Sequence, residues 1–155
     1  IELRPDVPRL AMEFLGLSDD PRLTLRIGDA LDLLPSAETA DLIFLDLYTD
    51  TGPGAGHLAW RFLQDCQDKL NPGGWLVINQ WGTDDDKPLG AALLRGLFHR
   101  HYWEIPVKEG NVVLLIPASL EQTLDSAEVR SRIELLTPRL GYSLIPLLEA
   151  MRPAS

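Results

Sequence analysis

The sequence is poor in basic residues and in cysteine. Its 14 Lys and Arg stand against 23 Asp and Glu, which leaves a net charge of −9. Sequence-independent binding to nucleic acid depends on clustered basic side chains, so we expect no nucleic-acid partner and favour a cationic or neutral small ligand. The single cysteine, Cys66, excludes a disulfide within the chain, which is compatible with a reducing cytosol. We therefore expect a cytoplasmic protein in which Cys66 is a small buried hydrophobe.

The sequence also lacks a long apolar run. No segment approaches the roughly 20 residues of a membrane span, and no charged start followed by an apolar core indicates a signal peptide. We expect a soluble chain with no membrane partner. Its 155 residues, 45% of them hydrophobic, suffice for one domain with a substantial core. The chain starts at Ile1 with a strand fragment that no cap or turn precedes, so we expect a further segment upstream of it.

Strand-like and helix-like segments alternate along the chain. The run Leu42-Ile43-Phe44-Leu45 is typical of a strand buried on both faces of a parallel sheet. A helix is predicted from about 58 to 70, and a turn at 71–74 separates it from a strand at 75–79. This alternation predicts an α/β fold with a mostly parallel sheet. Strands at 101–107 and 111–116 are too close for a parallel crossover, so they predict a C-terminal antiparallel hairpin.

The end of the chain is helical in composition. Thr137-Pro138 and Gly141 predict breaks there, so we expect two or three helices between 119 and 151. The predicted domain organisation is a main domain over 1–118 and a helical extension over 119–155 that packs on it.

Three acidic residues, Glu2, Asp29 and Asp46, each close a short strand-like segment. Open α/β sheets bind their ligands at the carboxyl ends of their strands, so these residues are candidate site residues. The structural alternative for Glu2 and Asp29 is helix capping or an exposed strand end. For Asp46 it is a carboxylate that caps a helix or orders a loop.

Several motifs together resemble, in order and spacing, the spermidine synthase (polyamine aminopropyltransferase) family. This family lies within the Rossmann-like class I S-adenosylmethionine-dependent methyltransferase fold. The resemblance covers roughly residues 1–118, and the fold's first strand and Gly-rich turn are expected before Ile1 and absent from this sequence. The motifs are Ile1-Glu2-Leu3, Asp19-Asp20-Pro21-Arg22, Gly28-Asp29-Ala30, the segment from Asp41 to Asp46, Leu70-Asn71-Pro72-Gly73-Gly74 and Asn111-Val112-Val113.

The resemblance implies a site for S-adenosylmethionine or its decarboxylated form, bound as a co-substrate. Glu2 would accept hydrogen bonds from the ribose hydroxyls, and Asp29 with Ala30 would face the adenine. Asp46 would be catalytic, at the buried end of its strand, where it would orient and deprotonate the attacking amine.

The acceptor side of the implied site is a small molecule such as a polyamine. Asp50 would hold the remote ammonium of a diamine, although it sits one place later than in the family pattern and could be a solvated loop residue. Tyr48 and Trp81 are further candidate substrate-binding residues, and Trp81 could equally be a packing residue. No metal is expected, and the resemblance allows a homodimer.

Two segments depart from the family pattern. Leu47-Tyr48-Thr49 stands where spermidine synthases carry a Ser-rich segment with an Asp, and residues 106–110 replace a segment with a Tyr. Lys108 within the second segment would repel a diamine. Two functions therefore stay open. One is a transferase that passes an aminopropyl or methyl group to a small acceptor, and the other is a catalytically inactive relative that keeps the fold for binding or assembly.

Overall fold

The computed structural model describes residues 1–49, 52–53, 56–108 and 110–154. The chain forms two compact units, Ile1–Glu38 and Thr39–Ser155. The helices are α1 (Asp6–Phe14), α2 (Ala30–Leu33), a 3-10 turn (Leu34–Ser36), α3 (Trp60–Asp68), α4 (Ala91–Leu97), α5 (Ser126–Leu140) and α6 (Ile145–Ala150). The strands are β1 (Ala40–Leu45), β2 (Tyr48–Thr49), β3 (Gly52–Pro53), β4 (Leu70–Trp81), β5 (Trp103–Pro106), β6 (Asn111–Pro117) and β7 (Arg152–Pro153).

The first unit joins its two predicted strand segments by a short parallel bridge between Glu2 and Ile27. The Glu2 N–H donates to the Arg26 carbonyl at 3.0 Å, and the Gly28 N–H donates to the Glu2 carbonyl at 2.9 Å. Gly28 has a φ of +150°, and a Cβ there would lie 2.9 Å from the Leu33 side chain. The chain can therefore turn from the bridge into α2 only because this residue is glycine.

The second unit is built on a five-stranded mixed sheet with the strand order β1-β4-β6-β5-β7. β1 runs parallel to β4, whereas the β4–β6, β6–β5 and β5–β7 pairs are antiparallel. The predicted α/β class and the antiparallel hairpin are confirmed. The prediction of a mostly parallel sheet is wrong for this five-stranded sheet, in which β1–β4 is the one parallel pair among the described strands. The sequence does not predict the β5–β7 pair, because β7 consists of only two residues and leaves no periodic signal.

One face of this sheet carries the core. Along β4, Leu76, Ile78 and Gln80 are buried, whereas Val77 and Asn79 between them are half-buried. Helices α3 and α4 contribute further buried side chains, namely Phe62, Leu63, Cys66, Leu94 and Leu97. Asn79 thus lies on the face with less cover, because successive strand residues point to opposite faces.

The prediction that β1 is buried on both faces is wrong for this sheet. Leu42 is 46% exposed and Phe44 71% exposed, and of the strand only Leu45 is buried. Within the described residues β1 pairs with β4 alone, so it is an edge strand.

Two predicted breaks do not interrupt their elements. β4 begins at Leu70 and continues through 71–74, with an irregular register where it first meets β1. α5 continues through Pro138 and ends at Gly141, which has a φ of +77°. Pro138 lies in the last turn of the helix, where the loss of one backbone donor does not end it.

The helical end of the chain belongs to the second unit together with the sheet. The boundary expected after Ala118 stays a prediction. No helix in the described part of the chain has the length and apolar character needed to cross a membrane.

Candidate functional site

The predicted catalytic residue, Asp46, lies at the carboxyl end of β1, beside the carboxyl end of β4. The two strands are parallel and in register at Leu45 and Ile78. One residue further along each strand, the Asn79 side-chain Nδ2 donates to Asp46 Oδ1 at 3.0 Å. Asp46 itself is exposed, which corrects the expectation of a buried strand end. A carboxylate in this position is accessible to a ligand and is held by the Asn79 amide.

Two aromatic residues lie beside this carboxylate. Tyr48 and Trp81 stack with ring centroids 6.1 Å apart and an interplanar angle of 25°. The Tyr48 hydroxyl donates to the Asn79 backbone carbonyl at 2.8 Å. Burial and, secondarily, the negative charge of Asp46 raise the pKa of Tyr48, so the phenol keeps its proton and remains a donor. Trp81 is 45% exposed, so part of its ring is open to a ligand.

Sequence reasoning missed two asparagines that complete this group. Asn79 holds Asp46, and the Asn111 side-chain Nδ2 donates to Asn79 Oδ1 at 2.9 Å. Asn79 and the adjacent Gln80 end the apolar run at 75–78 of β4, which is a signal that the sequence does contain. Asn111, 32 positions away, could be found only from the register of β4 and β6.

Asp50 lies outside the described residues. Lys108, which was expected to repel a diamine, is an exposed residue of the connection between β5 and β6. Beside the site, β2 and β3 form a two-stranded antiparallel ladder that pairs Tyr48 with Pro53.

A small cavity adjoins the same strand ends. Its volume is about 20 Å³, and it is lined by Leu45, Leu47, His57, Leu58, Ile78, Asn79 and Gln80. This volume is enough for about one water molecule and far too small for a polyamine. Asp46 and Trp81 are exposed on the open side of the strand ends.

The three residues predicted to bind the nucleoside lie in the first unit, and the structure brings them together at its parallel bridge. Glu2 Oε1 accepts from the Arg4 N–H at 2.9 Å. Asp29 is the N-cap of α2 and accepts from the Leu31 N–H at 2.9 Å through Oδ1. Ala30 is the half-buried first residue of that helix.

Asp29 therefore caps a helix, as in its structural alternative. Glu2 makes a local turn contact. Each bond engages one carboxylate oxygen, and an ionised carboxylate has acceptor positions on two oxygens. Hydroxyl and amino groups are donors, so the chemistry of these residues fits ribose and adenine.

The described side chains include neither a cluster of metal-ligating residues nor a reactive thiol. No group of three or more His, Cys, Asp or Glu residues in that part of the chain could hold a metal ion. Cys66 is 1% exposed, and burial raises the pKa of its thiol to about 12. It is therefore the inert core residue that its apolar surroundings in the sequence predict.

Comparison with known sequences finds polyamine aminopropyltransferases, whereas no family model matches the chain. The polyamine aminopropyltransferase of Enterobacter sp. is 41% identical over 63 residues, which are 40% of this chain and 22% of the relative. Polyamine aminopropyltransferase 1 of Pseudomonas aeruginosa is 32% identical over 118 residues, which are 69% of this chain and 41% of the relative. The chain thus spans less than half the length of these curated relatives.

Comparison with solved structures identifies the fold. Human methyltransferase-like protein 13, in complex with SAH, has a TM-score of 0.74 at 24% identity, over 90% of this chain and 68% of that one. A spermidine synthase in complex with the transition-state analogue AdoDATO has a TM-score of 0.61 at 19% identity, over 76% of this chain and 45% of that one. Both share the α/β arrangement described above.

Proposed function

We propose that this chain, which is spermidine synthase-like in sequence and has a class I methyltransferase fold, is part of a transferase. Its donor would be S-adenosylmethionine or the decarboxylated form, and the group transferred would be a methyl or an aminopropyl group. The acceptor would be a small amine such as a polyamine. The observation that carries the proposal is the exposed Asp46 carboxylate beside the Tyr48–Trp81 stack at the carboxyl end of a parallel strand pair.

The donor side is supported by the two similar structures, which hold SAH and the analogue AdoDATO. In this chain Glu2 would accept from the ribose hydroxyls, and Asp29 with Ala30 would face the adenine. The bound donor supplies an electrophilic carbon attached to a sulfonium, which leaves as a neutral thioether. The first unit would therefore contribute binding and orientation.

On the acceptor side, the first requirement is the removal of a proton from the attacking amine. An alkyl ammonium has no lone pair, so it must lose a proton before its nitrogen can form the new N–C bond. Asp46 would accept this proton and pass it to solvent, which its exposure permits. The Asn79 amide would hold the carboxylate in one orientation meanwhile.

The aromatic stack would bind the acceptor. An ammonium is attracted to the face of an aromatic ring, most strongly to Trp, and a carboxylate nearby adds to that attraction. Trp81 and Tyr48 would therefore bind the cationic acceptor alongside Asp46, and we propose Asp50 for the remote ammonium of a diamine. The net charge of −9 favours the approach of such a cation.

Replacement of Asp46 tests the proposal. In Asp46→Asn we expect turnover to fall by a factor of at least about 100, the usual contribution of a general base, while nucleoside affinity stays within about twofold. Turnover would be followed by release of methylthioadenosine or S-adenosylhomocysteine, and affinity by calorimetry.

Asp41→Asn is the matched control, because Asp41 lies at the other end of β1 and accepts from Asn71 Nδ2 at 2.8 Å. This variant should keep both turnover and affinity. An equal loss of turnover and affinity in Asp46→Asn would mean that Asp46 is a structural residue.

The alternative is a catalytically inactive relative that binds or assembles. It is favoured by the departures at Leu47-Tyr48-Thr49 and at 106–110. Nucleoside binding by the intact protein without release of either thioether product, with diamines offered as acceptors, would support it.

A further inference from the structure

Asn111 lies one hydrogen bond away from the residue that holds Asp46. We propose that Asn111 is a positioning residue, which acts on Asp46 by fixing the orientation of the Asn79 amide. This inference rests on the proposed function, because it assigns Asn111 a part in the work of Asp46. The observation behind it is the chain of bonds from Asn111 Nδ2 to Asn79 Oδ1, 2.9 Å, and from Asn79 Nδ2 to Asp46 Oδ1, 3.0 Å.

The two ends of an asparagine amide are chemically opposite. Its NH₂ group only donates and its carbonyl oxygen only accepts, whereas an ionised carboxylate only accepts. Asn79 can therefore stabilise the Asp46 carboxylate in one of its two amide orientations. In the flipped orientation the Asn79 oxygen would face a carboxylate oxygen, and its NH₂ would face the NH₂ of Asn111.

In the structure Asn111 presents a donor to the Asn79 oxygen, and this bond stabilises the productive orientation of the Asn79 amide. Without that donor the Asn79 amide could rotate to water, and Asp46 would lose its amide partner. Asn79 has a second part in the site, since its backbone carbonyl accepts from the Tyr48 hydroxyl at 2.8 Å. The backbone bond does not depend on the side-chain orientation, so the aromatic stack should survive the loss of Asn111.

The backbone of Asn111 is fixed by hydrogen bonds at the end of the sheet. It is the first residue of β6, level with Trp81 of β4, and its carbonyl accepts from the Val107 N–H at 2.8 Å. The hydrogen-bonded side chains thus run from β6 through β4 to Asp46, the residue that directly follows β1. The β5–β6 hairpin, which carries no predicted catalytic residue, would in this way contribute to the site.

The kinetic test uses Asn111→Leu in the intact protein, since leucine has a similar size and no donor. We expect kcat to fall about tenfold, the effect of one modest hydrogen bond, with the KM for the nucleoside donor unchanged. Asn111→Gln retains a donor and should restore most of kcat. Asn111→Ala is the second variant, in case leucine is not accommodated at this half-buried position.

Asn71→Leu is the matched control. Asn71 donates to Asp41 at 2.8 Å between the same two strands, at their opposite end. Loss of this bond removes an equivalent Asn–Asp contact and should leave kcat unchanged.

A second measurement does not need activity. The side-chain amide of Asn79 gives its own pair of nuclear magnetic resonance signals, and these should move in Asn111→Leu and also in Asp46→Ala. If the wild-type protein shows no turnover, the proposed function fails while these signals still decide the amide chain. Unchanged Asn79 signals in Asn111→Leu, or a kcat equal to that of the wild type, would overturn the inference.

Discussion

The local surroundings of a side chain in this protein determine whether it is accessible and reactive. Asp46 and Cys66 are both reactive types of residue, yet one is exposed at a strand end and the other is 1% exposed inside the core. Exposure makes Asp46 accessible to a substrate, whereas burial keeps the Cys66 thiol protonated.

Cys66 gives a prediction at the residue scale. Burial and, secondarily, Asp65 raise the pKa of the thiol from 9.0 to about 12. The folded state therefore binds the thiol proton more tightly than the unfolded state. This stabilising contribution is fully present below pH 9 and is lost as the pH rises toward 12.

At pH 9 a thiol reagent such as Ellman's reagent should accordingly react much more slowly with the native protein than with the denatured chain. Equal rates would contradict the buried position of Cys66.

The candidate site was only partly predictable from single residues. Asp46, Tyr48 and Trp81 could be placed at one edge because a parallel strand pair aligns their positions. Asn111 could not, because its hydrogen bond to Asn79, 32 positions away, depends on a register that the sequence does not display. The roles of Glu2 and Asp29 stay predictions, since the bonds they make in the structure are local ones.

At the scale of elements, β7 is held to β5 by an ion pair as well as by backbone pairing. Glu104 of β5 is 0% exposed, and its Oε2 lies 3.3 Å from Arg152 Nε of β7. Arg152 also donates to the carbonyl of Asp86. The last strand therefore neutralises a buried carboxylate.

Removal of the arginine should destabilise the protein. Arg152→Met leaves a buried carboxylate without its partner, so we expect the free energy of unfolding to fall by about 3 kcal/mol in urea denaturation.

Arg132→Met is the control, because Arg132 pairs with Glu128 at 2.6 Å on an exposed helix face, where such pairs contribute about 0.5 kcal/mol or less. Equal losses in the two variants would show that the Glu104 pair is solvated.

Elements differ in how well the sequence predicts them. The hairpin of β5 and β6 was predicted because its connection is too short for a parallel crossover. The edge position of β1 was not, because an unbroken apolar run says nothing about the number of neighbouring strands. Pro138 predicts a helix break, yet it lies in the last turn of α5, where it costs only one backbone bond.

At the scale of the whole molecule, the predicted fold and family resemblance are confirmed. The α/β class follows from alternation alone, and the similarity to polyamine aminopropyltransferases follows from several short motifs in the right order. The identity of the proposed acceptor could not be predicted, because Leu47-Tyr48-Thr49 and residues 106–110 depart from the family pattern.

Nucleoside binding is the premise on which the transferase assignment depends. Calorimetric titration of the intact protein with S-adenosylmethionine, decarboxylated S-adenosylmethionine and methylthioadenosine tests it directly. We predict saturable binding of at least one of the three, weakened in Glu2→Gln because an amide offers one acceptor oxygen instead of two to the ribose hydroxyls. The absence of binding by all three would contradict the account.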